Sequence, residues 1–279
     1  MSDDDIPLAG VIGNPVGHSL SPRLHGYWLN KYGLRGHYVP IKLTQETFEA
    51  GLRALPLLGF KGVNVTIPFK EMALTLADII SDRAALIGAA NTITFRGDGQ
   101  IHADNTDGFG FIENIRQTAP DWRASDGPAM VLGSGGASRA ILSSLLEAGA
   151  PEIILANRTR ARADMLAEHF GARVRVLSWT LIASELGAAH TLVNTTSLGM
   201  TGQAPLVLDL KRLSPKTLVT DVVYTPLETE LLKAAAAKGC QTVDGIGMLL
   251  HQAVPGFESW FKLRPEVGKG LRRTVLAYD

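Results

Sequence analysis

Two periodicities alternate along the chain. Short apolar or β-branched runs at residues 9–12, 38–41 and 63–66 read as strands, and between the last two Phe48, Leu52 and Leu55 recur at helical spacing. Residues 91–95, the tripeptide Gly97-Asp98-Gly99 and residues 101–103 predict a hairpin, because glycine supplies the positive φ that a tight turn needs. A helix is expected to begin near Asp107 and to carry Phe111, Ile112 and Ile115 inward. After the polar, turn-rich stretch 119–128 a new series starts, with strands at 129–132, 153–156, 174–177, 191–194, 218–222 and 241–243, most of them separated by helical segments. Such strand–helix alternation predicts an α/β protein whose second half is a doubly wound parallel sheet, with a domain junction between Asp107 and Pro128. From Gly247 to Ala277 the pattern is helical and no strand follows.

Composition narrows the partners. With 279 residues, 46% of them hydrophobic, the chain can fill two modest cores. Lys plus Arg (27) balance Asp plus Glu (27), so no net field gathers nucleic acid or an anionic membrane, and a small-molecule partner is expected. Cys240 stands alone and cannot form an intrachain disulfide, which fits a cytoplasmic setting. The start Met1-Ser2-Asp3-Asp4-Asp5 is acidic where an export signal is basic, and no apolar run approaches the roughly 20 residues that span a bilayer. No metal site is assigned.

The chemistry concentrates in loops at strand ends. Gly133-Ser134-Gly135-Gly136-Ala137 lies where a strand hands over to a helix: Gly133 can make the tight turn, and Gly135 can let a pyrophosphate approach the helix N-terminus. The third position of the usual dinucleotide fingerprint is Ser138 rather than Gly or Ala. Beyond the next strand, where an acidic residue would hold the ribose of NAD, stands Asn157-Arg158-Thr159-Arg160, and a guanidinium there suits the 2′-phosphate of NADP. The bland alternative makes Arg158, Arg160 and Arg162 the solvated first turn of a helix, although cations at that end oppose the helix dipole.

Three polar clusters mark the first half. The loop from Asn14 to Pro22 brings the hydroxyls of Ser19 and Ser21 close enough to donate to one carboxylate, while Ser21 could equally cap the helix that Pro22 starts. Thr66-Ile67-Pro68-Phe69-Lys70 puts a lysine near the first turn of a helix at the carboxyl edge of the sheet, where open α/β sheets bind ligands. Asp104-Asn105-Thr106-Asp107-Gly108 supplies carboxylates at the junction, a favoured place for a cleft. An Asp and a Lys meeting beside a nicotinamide would suit ketone reduction, in which oxygen gains a proton as carbon gains hydride.

Taken together these strings resemble the shikimate dehydrogenase family over nearly the whole chain. Besides those above, Asn64-Val65-Thr66-Ile67-Pro68-Phe69-Lys70, Asn91-Thr92, Asn194-Thr195-Thr196-Ser197-Leu198-Gly199-Met200 and Asp244-Gly245-Ile246-Gly247-Met248-Leu249 occur in the family's order. The resemblance implies that Ser19 and Ser21 hold a substrate carboxylate, that Thr66, Asn91 and Gln252 bind ring hydroxyls, and that Lys70 and Asp107 are the catalytic pair. It places Tyr224 near substrate, Val222 and the backbone of Gly245 near the nicotinamide, and NADP along Gly133 to Ala137 and Asn157 to Thr159. It further implies a discontinuous substrate domain of residues 1–108 and 246–279 around an NADP domain of residues 109–245. The expected activity is reversible NADPH-dependent reduction of 3-dehydroshikimate, in a monomer or homodimer. Gly26, Ser134 and Thr195 depart from residues common at their positions, and none removes a proposed catalytic group.

The nearest rival is a quinate/shikimate dehydrogenase of broader substrate or cofactor use. A ligand-binding regulator on a dehydrogenase scaffold would be expected to lack Lys70 or Asp107 or to carry a DNA-binding domain, and a purely structural protein leaves the polar loops of the first half without a cause.

Overall fold

Twelve strands form two sheets in this computed structural model, which describes residues 6–277; the acidic segment 1–5 lies outside them. The first sheet contains β1 (Leu8–Gly13), β2 (His37–Lys42), β3 (Phe60–Val65), β4 (Ile79–Ile80), β5 (Thr92–Phe95) and β6 (Ile101–Asp104), in the order β2-β1-β3-β5-β6-β4. β1 pairs in parallel with β2 and β3, whereas β5 runs antiparallel to both β3 and β6. The predicted hairpin is present: the Arg96 N–H donates to the Gln100 carbonyl at 3.0 Å, and Gly99 takes φ 87°. β3 stops one residue short of the expected run, so Thr66 falls in the loop that follows. The two-residue strand β4, paired with β6, carries too little pattern to be read from sequence.

The second sheet contains β7 (Ala129–Leu132), β8 (Ile153–Ala156), β9 (Val174–Leu177), β10 (Thr191–Asn194), β11 (Leu218–Asp221) and β12 (Gln241–Val243), ordered β12-β11-β10-β7-β8-β9 and parallel throughout. Strands β7, β8, β10 and β11 are buried at every residue, as expected of parallel strands covered on both faces, so their apolar runs show no alternation. The strand order reverses between β7 and β10. At such a switch point the loops leave the sheet in opposite directions and open a crevice at the carboxyl ends.

The chain divides into two compact units, with boundaries at Thr106/Asp107 and Leu249/Leu250. The first unit has a core that includes Ile12, Phe48, Val63, Phe69 and Ile93. The second packs apolar side chains on both faces of its sheet, Val131 and Ile141 on one and Leu132 and Leu192 on the other. Helix Ile246–Phe261 contains the second boundary and contributes Gln252, Phe257 and Trp260 to the first unit. Among the described residues no helix is long and apolar enough to cross a membrane.

Candidate active site

In the first unit the predicted substrate residues sit beyond the carboxyl ends of β1 and β3, at the amino end of antiparallel β5 (Asn91) or on the returning helix. β1 ends at Gly13, and the loop leads to helix Ser21–Lys31, whose cap position is Leu20 and offers no side-chain bond. The capping assignment of Ser21 is therefore corrected. Ser21 is itself the first helical residue, and the hydroxyl that accepts its backbone N–H, at 3.3 Å, belongs to Ser19. Pro22 follows inside the first turn, where its missing N–H removes a donor that would lack a partner anyway.

A buried hydrogen-bond network joins residues far apart in sequence. The Asn91 amide donates to Gln252 Oε1 at 3.2 Å, and Asn91 Oδ1 accepts from the Thr106 backbone N–H at 2.8 Å and from the Thr92 hydroxyl at 2.9 Å. The Thr106 hydroxyl donates to the Gln252 carbonyl at 2.8 Å. From the neighbouring strand the Asn64 amide reaches the Asn91 carbonyl at 3.2 Å, while the Tyr38 hydroxyl donates to Asn64 Oδ1 at 2.7 Å. Burial holds the Tyr38 phenol well above its ordinary range despite the nearby Ser21, so it remains a donor. These contacts fix the Asn91 carboxamide in one orientation before any ligand arrives.

Asn64, Tyr38 and Thr106 were given no role by the sequence reading. The available signal was an asparagine between Val63 and Val65 in an otherwise apolar strand, because a buried amide must find partners. Lys70 opens helix Lys70–Thr75 and is half-buried, its carbonyl accepting the Ala90 N–H at 2.9 Å. Thr66 is half-buried and joined to β1 by its N–H to the Ile12 carbonyl at 2.9 Å.

In the second unit, buried Asp107 begins helix Asp107–Thr118, which packs on helix Gly136–Glu147. Gly133 has φ 110°, and a Cβ there would lie 2.6 Å from Thr195 Oγ1, so the turn leaving β7 requires glycine on both counts. The Ser138 hydroxyl donates to the Gly133 carbonyl at 2.7 Å, which gives the third fingerprint position a bonding role that glycine or alanine could not fill. Gly135 and Gly136 are exposed with open space at their Cβ positions, and Gly135, at the cap position, offers no side-chain bond to the helix N-terminus. That is the cradle a pyrophosphate requires.

Beyond β8 the Asn157 amide donates to the Thr159 carbonyl at 2.8 Å and shapes the loop, with Arg158 exposed. Arg158 precedes the cap residue Thr159 and so lies outside the first turn that the bland reading gave it. Arg160, in that turn, pairs with Asp164 at 3.5 Å. No acidic side chain occupies the first turn of this helix, so the charges suit the 2′-phosphate of NADP.

Loop 222–229 is tied down by buried Asp221. Its carboxylate accepts from the Asn194 amide at 2.9 Å, the Val223 N–H at 3.0 Å and the Thr229 hydroxyl at 2.8 Å. Burial raises its pKa, opposed by these donors. A Cβ on Gly245 would fall 2.4 Å from the Val222 carbonyl oxygen, so the two positions expected near the nicotinamide press directly against each other. Tyr224, at 36% exposure, projects from the same loop.

Strand order, the glycine turn at the switch point and the arginine beyond the second strand together define a nicotinamide-dinucleotide oxidoreductase scaffold. Residues 11–93 match the family model for the shikimate dehydrogenase substrate binding domain, and residues 116–201 match that for shikimate / quinate 5-dehydrogenase. The chain therefore belongs to the shikimate dehydrogenase family. It is 64% identical over 277 residues, 99% of this chain and 100% of the relative, to a shikimate dehydrogenase (NADP(+)) from Jannaschia sp. (strain CCS1). Among solved structures it resembles the shikimate 5-dehydrogenase from Thermus thermophilus in complex with NADP(H) and shikimate, with TM-score 0.85 and 36% identity over 96% of this chain and 98% of that one. It likewise resembles the quinate dehydrogenase from Corynebacterium glutamicum in complex with NAD, with TM-score 0.91 and 32% identity over 99% and 100% of the two chains.

Proposed function

We propose that this chain is a cytoplasmic shikimate dehydrogenase that reversibly reduces 3-dehydroshikimate with NADPH, a step towards chorismate and the aromatic amino acids. The observation that carries the reading is the buried Asn91–Gln252–Thr106 network, which presents oriented amides of the kind that sort the hydroxyls of a ring. In this reading residues 1–108 with 246–279 bind substrate and residues 109–245 bind NADP. Relatedness to proteins named shikimate dehydrogenase (NADP(+)) supports both ligands.

Each side chain then has a task. Ser19 and Ser21 hold the substrate carboxylate, while Thr66, Asn91 and Gln252 receive the ring hydroxyls and Tyr224 borders them. Gly133 to Ala137 and Asn157 to Thr159 hold the dinucleotide, with Val222 and Gly245 beside its nicotinamide. When bound, NADPH supplies the hydride. Lys70 and Asp107 manage the proton at the ring oxygen, the ammonium stabilising negative charge as it develops there. The protein acts as a monomer or homodimer.

Arg158→Ala is expected to raise KM for NADP by roughly tenfold to a hundredfold and to leave NAD use nearly unchanged, since one charge-assisted contact to the extra phosphate is lost. Equal weakening of both cofactors would make the arginine structural. The test of the whole reading is a four-way steady-state assay of shikimate or quinate with NADP or NAD, following reduced nicotinamide absorbance. Turnover concentrated in the shikimate–NADP pair is expected. Comparable use of quinate or NAD would favour the broader quinate/shikimate activity, which the likeness to the Corynebacterium quinate dehydrogenase supports.

A further inference from the structure

The β5–β6 hairpin has two unlike faces. Ile93, Phe95, Ile101 and Ala103 belong to the core, while the alternate positions Thr92, Thr94, Arg96, His102 and Asp104 line a cavity of about 550 Å³ whose wall Phe95 and Ala103 also border. Helix Ile246–Phe261 and the residue after it line the same cavity with Pro255, Ser259 and Lys262. This space lies within the first unit and is lined by none of the residues assigned above to substrate or dinucleotide.

Its lining is cationic without internal compensation. The Asp104 carboxylate is already matched by Arg83, by the Ser81 hydroxyl at 2.6 Å and by the Asn105 N–H at 2.7 Å. Among the described residues no carboxylate lies within ion-pair distance of Arg96 or Lys262. Arg96 instead lies 3.1 Å from His102 Nε2. The Lys262 ammonium reaches the Ser259 carbonyl at 2.7 Å. Lys262 is also the one non-glycine residue with positive φ among the described residues, at 58°, a conformation that costs a side-chain-bearing residue energy and recurs where function requires it. Two hydroxyls, of Thr94 and Ser259, bond each other at 3.0 Å in the same lining, which leaves one hydroxyl hydrogen of the pair free to donate outward.

We propose that this cavity is a binding site for a phosphate monoester of a small metabolite, its dianion neutralised by Arg96 and Lys262 and one of its oxygens bonded by the free hydroxyl hydrogen of the Thr94–Ser259 pair. Two full cations match a dianion better than a monocarboxylate, and the volume accommodates more than a bare phosphate. Thr92 lines the cavity and its hydroxyl donates to Asn91 Oδ1, so occupancy reaches the substrate network. That consequence rests on the reading of Asn91 as a substrate contact; the binding itself does not.

The probe is glycerol 3-phosphate, titrated calorimetrically into the full chain with and without saturating NADP, and compared with glycerate. Binding is expected in both conditions, with glycerate at least about tenfold weaker. Arg96→Gln and Lys262→Asn should each weaken glycerol 3-phosphate at least about tenfold; both positions are exposed, and asparagine tolerates the left-handed backbone. Binding lost when NADP is present, or lost in Arg158→Ala and kept in the two cavity variants, would assign the phosphate to the dinucleotide site and overturn the proposal. Absence of binding at millimolar concentration, or equal binding of glycerate, would overturn it as well. In a parallel assay the KM for shikimate should shift about twofold or more on adding glycerol 3-phosphate to the unaltered protein and stay constant in the Arg96 variant. An equal shift in both would refute the coupling. A protein inactive on shikimate would count against the proposed function and leave the calorimetric test of the site intact.

Discussion

Replacing Lys70 with alanine is expected to lower kcat by roughly 10²-fold to 10⁴-fold, the range over which a positioned proton-transfer group contributes, while KM for 3-dehydroshikimate changes by less than about tenfold. The asymmetry follows from where charge resides. The substrate ketone is neutral, and the oxygen becomes negative only as hydride reaches carbon, so an ammonium beside it stabilises the transition state far more than the ground state. The substitution should leave the loop in place, because Lys70 is tied to Ala90 through its backbone carbonyl, which alanine retains. Steady-state kinetics in both directions, with circular dichroism to verify folding, decide the matter. A large rise in KM with kcat preserved would make Lys70 a binding residue and remove it from the chemistry.

A second large effect should appear in stability against acid. His25 is fully buried, stacked on Tyr38 with ring centroids 3.9 Å apart, and neither ring nitrogen has a hydrogen-bond partner among the described residues. Burial, offset only in part by the Asn64 side chain, lowers its pKa from 6.5 to about 3. The folded value lies below the unfolded one, so the unfolded chain binds the extra proton first as pH falls. His25 thus costs no stability above about pH 6.5 and an increasing amount down to about pH 3, where the loss levels off near 5 kcal/mol. Urea unfolding of the unaltered protein and of His25→Phe between pH 7 and 4 measures this. The difference between their stabilities should change by several kcal/mol across that interval, and parallel curves would show that the imidazole is solvated or paired in solution.

Different parts of the molecule were legible for different physical reasons. The strands of the second sheet announce themselves because each is a short apolar run between turn formers, and β7 to β12 fall within one residue of the expected positions. Gly133 was legible because the turn leaving β7 imposes a local demand on backbone shape, φ 110° with no room for a Cβ. The Asn91 network is another matter. Tyr38, Asn64, Asn91, Thr106 and Gln252 come from separate strands, loops and a helix, and no local pattern announces that Asn64 meets the Asn91 backbone carbonyl while Gln252 meets its side-chain amide. Gln252 was expected from the family resemblance alone, for in its own segment it is one polar residue within an apolar helix. His25 illustrates the same limit: its neighbours in sequence say helix, whereas its aromatic surroundings include Tyr38, Phe257 and Trp260 from other segments. The cap expected at Ser21 fails because the helix begins at Ser21 itself, with Leu20 at the cap position, a one-residue shift that no local pattern announces.

The discontinuity of the first unit has a consequence for synthesis. Gln252 bonds Asn91, the Trp260 indole donates to the Ile93 carbonyl at 3.0 Å, and the Trp28 indole donates to the Glu266 carbonyl at 3.0 Å. A chain growing on the ribosome therefore exposes β1 to β6 long before the segments that make these bonds to the first unit have been translated, whereas residues 107–249 form an uninterrupted unit with all of its sheet in hand. The half made first is completed last. Until its final thirty or so residues emerge from the exit tunnel, the nascent chain holds Asn91, Ile93 and Trp28 without these partners, and a premature stop soon after Leu249 leaves a dinucleotide fold without a finished substrate fold.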